Sequence, residues 1–402
     1  MKKILMVVST LNHGGAQKVF ANLTLAFPEE WQIDILLNNA ENITYPYRGR
    51  ILSLQIDNPD DKTGILYQAR VFLRRYRKLK ELKKKNHYDA CLSALTSANA
   101  VNVLTGRRYC KTILTVHSFM TRDMGQLGGL KQIIIAMAIK LLYNRADRVV
   151  TVSEGSRNDL VQKFGVDPRK AITIYNGFPI KDIINRSKEQ PDGRECTFVE
   201  DSGFKFVTAG RLDGAKGQWH LIRAFRSVAE AFPDAKLLIL GEGILEQSLK
   251  KTVKECGLEN NVVFGGFVEN PYKIMAKCDA FVMSSLYEGF PGVLIEALAC
   301  GLPCISTDFD SGAREILAPG ADIAEKVTGN WQKEQYGILC PVCDGQRRRG
   351  GEKLTKEEKI LADAMLALVR ESALRDRYQK RSQERAWQLD AENFLGKWLE
   401  II

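Results

Sequence analysis

Two carboxylates, Glu288 and Glu296, stand on either side of the turn Gly289-Phe290-Pro291-Gly292 in the stretch Tyr287–Ser306, YEGFPGVLIEALACGLPCIS. Pro291 has the fixed φ that suits the first position of a helix, apolar residues follow at helical spacing, and Gly301 and Pro303 supply the stop. A short helix is therefore predicted, with Glu288 in the loop before it and Glu296 about one turn inside. The unpaired N–H groups of such a helix start, with glycines beside them, suit an anion such as a diphosphate. The two carboxylates are left to accept hydrogen bonds from hydroxyls, as a sugar and a ribose would offer. Anion and polyol together describe a nucleotide sugar. Pairs of helical glutamates are commonly no more than solvated surface. This pair is set in an apolar, glycine-punctuated run that follows the strand-like Ala280–Ser284, AFVMS.

Two cations stand where a diphosphate would need them. Arg211 and Lys216 flank a turn after the strand-like Phe204–Gly210. Arg can bind phosphate through two hydrogen bonds and Lys as a point charge, each bond contributing roughly 1.5–3 kcal/mol. In the first half of the chain the strand Ile4–Ser9 runs into TLNHGGAQK, residues 10–18, which opens a helix. Gly14-Gly15 at that turn lets a ligand approach the backbone, although the spacing is not the G-x-G-x-x-G of a dinucleotide site. His117 ends a further strand at the carboxyl edge of the sheet, where open α/β domains bind ligands. Ser153 precedes a polar first turn and reads as an N-cap.

The elements that must hold these residues alternate. Strands are predicted at Ile4–Ser9, Ile33–Leu37, Ile51–Ile56, Ala90–Ala94, Thr112–Val116, Arg148–Val152 and Ile172–Tyr175, with helical patterns between them, the pattern of a parallel sheet covered on both faces. Residues 179–203 are polar, lose periodicity and read as a linker. A second sheet follows, with strands at Phe204–Gly210, Leu237–Leu240, Val262–Phe264, Ala280–Ser284 and Cys304–Ser306.

The stretch 287–306 closely resembles the paired-glutamate signature of the family-4 glycosyltransferases, and the resemblance extends over nearly the whole chain, most specifically over residues 204–316. It implies an α/β protein of the GT-B fold, two Rossmann-like domains facing each other across a cleft. Residues 1–178 would be the acceptor domain, with a C-terminal helix at 380–402 packed back on it, and residues 204–379 the nucleotide-sugar donor domain. By the same resemblance His117 and Gly15 meet the reacting face of the donor sugar, Arg211 and Lys216 hold the leaving diphosphate, and the turn ending at Val268 touches the base. Glu288 would hold sugar hydroxyls, Glu296 the ribose, and Gly289, Phe290, Pro291 and Gly292 close on the donor. The implied reaction moves a hexose or N-acetylhexosamine from a nucleoside diphosphate sugar, UDP-linked by expectation, to a lipid-linked saccharide in cell-surface polysaccharide assembly. It would proceed with retention of configuration, without a metal or other cofactor. Asp308-Phe-Asp310 has the D-x-D form that binds a metal ion in the other large glycosyltransferase fold, but its place after the paired-glutamate helix argues against that role. The chain departs from the family at Gly345–Lys356, GQRRRGGEKLTK, which is expected to be a mobile surface loop.

Composition bounds these readings. At 402 residues, 45% apolar and 26% charged, the chain is a soluble two-domain protein by expectation. No apolar run is long enough to span a membrane, and Met1-Lys2-Lys3 leads into a hydrophobic run too short for a signal peptide, so the expected location is cytoplasmic. Nine cysteines, an odd number mostly inside apolar strings, suit free thiols, and Cys340-Pro-Val-Cys343 lacks a second pair for zinc. Residues 1–150 hold 23 Lys/Arg against 11 Asp/Glu, a surplus of 12 in a chain of net charge +10. All the basic excess thus lies in the first domain, which suggests an anionic partner. Val71–Lys85, with eight basic residues and one acid, and the apolar Leu127–Tyr143 are each explained by ordinary helices, solvated and buried respectively. Together they raise a membrane-surface reading, peripheral at the inner face of the cell membrane. Nucleic acid is not expected as a partner. Other readings of the chain are a nucleotide-sugar epimerase of the same architecture, which would need no acceptor, an NAD-dependent oxidoreductase, which would need the missing fingerprint, and a non-catalytic partner subunit that binds without turnover.

Overall fold

The computed structural model describes residues 1–12, 14–56, 64–125, 128–191 and 195–402. His13 of the glycine turn, Leu127 of the apolar stretch and residues 192–194 of the expected linker lie outside the described residues.

The chain divides into two compact units, the first made of Met1–Phe178 and Ala391–Ile402. Its seven strands are β1 (Lys3–Val7), β2 (Gln32–Leu37), β3 (Arg50–Ser53), β4 (Ala90–Ala94), β5 (Lys111–Val116), β6 (Arg148–Thr151) and β7 (Ala171–Thr173). They form one parallel sheet in the order β3-β2-β1-β4-β5-β6-β7. Strands such as β4 are buried along their whole length, which is why they read as continuous apolar runs and not as alternations. The connecting helices are α1 (Gly15–Ala26), α2 (Ile65–Asn86), α3 (Thr96–Leu104), α4 (Met120–Gly125), α5 (Gly129–Tyr143) and α6 (Glu154–Phe164). Ser153 caps α6 by accepting from the Ser156 N–H at 3.1 Å. α2 packs on α3, α3 on α5 and α5 on α6, so these four lie side by side in one layer.

The second unit is Pro179–Asp390. Residues 179–203 belong to it and are not a bare connector. They carry α7 (Ile180–Arg186) and α8 (Glu195–Glu200). The polar composition that suggested a linker belongs to short helices whose few apolar groups, Ile180, Ile183 and Phe198, are buried. The sheet is β8 (Lys205–Ala209), β9 (Lys236–Leu240), β10 (Val262–Gly266), β11 (Ala280–Met283), β12 (Cys304–Thr307), β13 (Gln332–Lys333) and β14 (Ile338–Cys340), in the order β10-β9-β8-β11-β12-β14-β13. Only β13 runs antiparallel, against β14. Around it lie α9 (Gln218–Ala231), α10 (Glu246–Glu255), α11 (Tyr272–Met275), α12 (Gly292–Ala299), α13 (Ala313–Leu317), α14 (Lys356–Arg370) and α15 (Ser372–Gln388).

The single C-terminal helix expected over residues 380–402 is broken. α15 ends at Gln388, and α16 (Glu392–Ile401) belongs to the first unit. The Asp390 carboxylate accepts from the Ile180 N–H at 3.2 Å and the Ala391 N–H donates to Phe178 O at 3.0 Å, which ends one helix and redirects the chain. A Cβ on residue 177 would lie 2.3 Å from Ala391 Cα, so only the glycine present there admits this approach. Trp387, before the break, is 46% exposed, while Phe394 and Trp398 on α16 are buried.

Candidate functional site

The strand order of the second sheet reverses between β8 and β11, and the loops leaving those two strands meet. Leu286 N–H donates to Ala215 O at 2.7 Å, and Ser284 Oγ donates to Lys216 O and Gly217 O at 3.0 and 3.2 Å. Gly217 has φ +58°, and a Cβ there would come within 2.6 Å of Ser284 O, so a side chain would wedge the loops apart. On this base Lys216 Nζ donates to Glu288 Oε1, which also accepts from Ser285 Oγ at 2.9 Å. Both side chains of the ion pair are 17% exposed. Arg211 leaves the same β8 loop. Its backbone is held by Gln218 Nε2 at 2.9 Å, but its side chain is 78% exposed and, among the described residues, pairs at the surface with Asp213. Such a pair is weak, which leaves the guanidinium available to an anion.

The paired-glutamate stretch forms the predicted short helix with one shift of position. Pro291 is the N-cap, with φ −75° and ψ 95°, and Gly292 is the first helical residue. The extended ψ at Pro291 turns the chain before the helix begins. Gly289 O accepts from Ser311 Oγ, and Gly312 has φ +91°, where a Cβ would lie 2.7 Å from Pro291 Cδ. The loop after β12 therefore seats Phe290 and Pro291 at the α12 start. Glu296, on the second turn, is buried and accepts from Tyr272 OH at 3.3 Å. Val268 is half-buried beside Phe267, whose N–H donates to Glu242 Oε1 at 3.4 Å. The site residues of this unit thus come from the loops after β8, β10 and β11 and from α12.

His117 and Gly15 belong to the first unit. Its strand order reverses between β1 and β4. Gly15 opens α1 directly after β1's loop, and a Cβ there would meet no atom within 4 Å. His117 follows β5, with the Phe20 ring edge-on at 5.9 Å. Thr115 Oγ1 lies 2.9 Å from Ser93 O and 2.8 Å from His117 Nε2. The threonine has one proton and the carbonyl can only accept, so that proton goes to Ser93 and Nε2–H of His117 donates to Thr115. His117 Nδ1 is consequently a bare acceptor, buried and without a partner among the described residues. Burial pushes the His117 pKa down to about 4, so the ring is neutral near pH 7 and Nδ1 can accept a hydrogen bond from a hydroxyl.

The sign of this shift makes a test. Folding disfavours the protonated ring, so His117 costs stability as pH falls from its unfolded value near 6.5 toward about 4, and costs nothing above that range. Thermal midpoints of wild type and His117→Ala at pH 7.5 and 4.5 are expected to converge at the lower pH. The differential is at most about 3 kcal/mol. An unchanged gap between the two proteins would mean that the ring is not held neutral.

The sequence reading passed over Thr115, Ser285, Tyr272 and Gly312, which act through contacts distant in the chain, and Leu95. Leu95 caps α3 beside the first reversal with φ +74°, a conformation costly for a bulky residue. Its signal is geometric and leaves no mark in the sequence.

Asp308 braces the loop that follows β12. Its buried carboxylate takes Arg314 Nη2 at 2.7 Å and the Val327 N–H at 2.9 Å. No group of three or more His, Cys, Asp or Glu able to hold a metal ion occurs among the described residues. Cys340 and Cys343 are buried, which raises both thiols well above their ordinary pKa. The segment Gly345–Lys356, expected to be mobile, is tied down. Arg223 donates to Arg349 O and to Lys353 O, Arg226 to Gly350 O at 2.8 Å, and Glu255 accepts from the Gly350 N–H at 2.8 Å. Buried Glu358 in turn pairs with His220 Nδ1 at 2.8 Å and accepts from Arg223 Nε at 2.9 Å, and against the cost of burial these two bonds hold its carboxyl down at about 2. A basic, glycine-bearing run looks mobile only until the carbonyls it offers to Arg223 and Arg226 are seen.

The family described as Glycosyltransferase Family 4 matches residues 13–182, and that described as Glycosyl transferases group 1 matches residues 194–335. An uncharacterized glycosyltransferase of Methanocaldococcus jannaschii is 32% identical over 355 residues, 86% of each chain. An N-acetylgalactosaminyltransferase of Campylobacter jejuni, named for its action on N-acetylgalactosamine-N,N'-diacetylbacillosaminyl-diphospho-undecaprenol, is 29% identical over 395 residues, covering 97% of this chain and 96% of that one. Among solved structures, Anabaena HepE in complex with UDP and glucose superposes with a TM-score of 0.73 at 20% identity, over 100% of this chain and 99% of that one.

Proposed function

The chain belongs to glycosyltransferase family 4, and from that premise we propose that it transfers a hexose or N-acetylhexosamine from a UDP-sugar to a lipid-linked saccharide, with retention and without a metal. The fold is GT-B and the activity class is glycosyl transfer. The observation that carries the finer reading is the ion pair of Lys216 and Glu288 at the β8–β11 reversal, beside the α12 start. In this reading Lys216, Arg211 and the N–H groups of α12 stabilise charge growing on a departing diphosphate, the role a metal ion plays elsewhere. Glu288 is held by Ser285 and Lys216 with lone pairs left for sugar hydroxyls, and Glu296 serves the ribose. In the proposed step the acceptor oxygen bonds to the anomeric carbon on the face the diphosphate leaves, and a leaving phosphate oxygen takes the acceptor's proton. UDP bound to HepE and the acceptor named for the Campylobacter enzyme support the choice of donor and acceptor. An acceptor anchored by lipid places the reaction at a membrane, and the protein is proposed to sit peripherally on the inner face, in surface polysaccharide assembly.

The test is a thermal-shift series in EDTA with UDP, GDP, ADP and NAD on wild type and Lys216→Ala. A ligand at about a hundred times its Kd adds about 2.7 kcal/mol, enough to move the midpoint by several degrees. Stabilisation by UDP alone, lost in the variant, is expected. A response to GDP would replace the donor, and a response to UDP only after metal is restored would remove the metal-free step.

A further inference from the structure

We propose that the exposed face of α5, together with the basic outer face of α2, is a docking surface for a membrane containing anionic lipid. The inference rests on the lipid-linked acceptor proposed above and names the surface that brings the protein to it. α5 is apolar on two opposite sides. Its inner side, with Ile139 and Tyr143, is in the core of the first unit. Its outer side carries Leu130, Ile133, Ile134, Met137 and Leu141, each between 56% and 74% exposed. At 3.6 residues per turn these five fall within roughly 100° of arc, a continuous ridge. A helix hydrophobic on both sides is normally covered on both.

Charge selects the cover. α5 contains no acidic residue, and Lys131 and Lys140 are exposed on opposite borders of the ridge, where long stems can lie along apolar surface while the ammonium groups reach outward. This is the arrangement of a helix lying in a lipid interface. α2 lies in the same helix layer, separated by α3. Its exposed Arg70, Arg74 and Arg77 recur at helical spacing and line a cavity of about 1050 Å³ against the end of β3. Cations there attract lipid phosphates over a Debye length, while the ridge supplies the apolar insertion. A protein partner or a second copy would explain the ridge but not its cationic borders and the basic row beside it. No helix among the described residues is long and apolar enough to cross a membrane, so contact would be at the surface.

The test is co-flotation with vesicles of phosphatidylcholine alone or mixed with phosphatidylglycerol, at low and high salt. Wild type is expected to float with the anionic vesicles at low salt, and Ile133→Ser/Met137→Ser to lower the bound fraction about tenfold. Lys131→Glu/Lys140→Glu should lose the preference for anionic lipid. Unchanged melting of the ridge variant shows that the fold is intact. Binding by the ridge variant equal to wild type, or no binding by wild type, overturns the proposal. So does a lipid-free dimer of wild type that the ridge substitutions dissociate, since a second copy would then cover α5. Transfer to a tail-less, water-soluble acceptor is measured in parallel. Its loss in every protein would strike the proposed reaction and leave the docking result to be judged by flotation.

Discussion

Lys216→Ala is expected to lower kcat/KM for glycosyl transfer by about 10²–10³-fold, the loss seen when one preorganised charge-stabilising donor is removed, equivalent to about 2.7–4 kcal/mol. The size follows from placement. Lys216 is largely buried, fixed through its backbone by Ser284 and through its ammonium by Glu288, so it is in position before any ligand arrives. If its charge acts mainly on the departing diphosphate, kcat falls and KM for the donor changes little. Glu288→Ala should fall by a similar factor, and the double variant by far less than the product, because each side chain holds the other. A Lys216→Ala rate within threefold of wild type would take this pair out of the reaction. Losses that multiply in the double variant would show two independent roles.

Asp308→Ala is expected to destabilise the second unit by about 3–5 kcal/mol, because it strands a buried guanidinium. Arg314 is 5% exposed, and its next carboxylate, Glu334, is 4.0 Å away. For a unit of this size the midpoint should fall on the order of 10 °C, with no recovery when manganese or magnesium is added. Asp308→Asn keeps an acceptor for the Val327 N–H and should lose less. A variant that melts like wild type but loses activity only in added metal would restore Asp308-Phe-Asp310 as a metal site.

Both strand sets that frame the site were legible, because buried parallel strands leave unbroken apolar runs such as AFVM that glycine turns delimit. The α12 helix was legible for the same reason, with Pro291 displaced by one position. β13 and β14 were not: β13 is two polar residues set by pairing, and the apolar β14 is only three residues long. Nor was the break at residues 389–391 legible, since the apolar spacing of Trp387, Phe394 and Trp398 continues through it and the interrupting bonds come from Phe178 and Ile180. Of the site, residues carried by a local motif could be named. Thr115 could not, because its effect on His117 depends on a Ser93 carbonyl from the neighbouring strand.

The first unit is closed by both ends of the sequence, since α16 covers α1 and Tyr175 through Phe394 and Trp398. During synthesis residues 1–178 therefore leave the ribosome long before the segment that completes them. The contiguous second unit can finish folding first, while the earlier-made half waits with the α1 side of its core uncovered. A ribosome stalled short of residue 391 would leave that half exposed to chaperones and proteases. A change near the carboxyl terminus would register as a defect in the half of the protein made first.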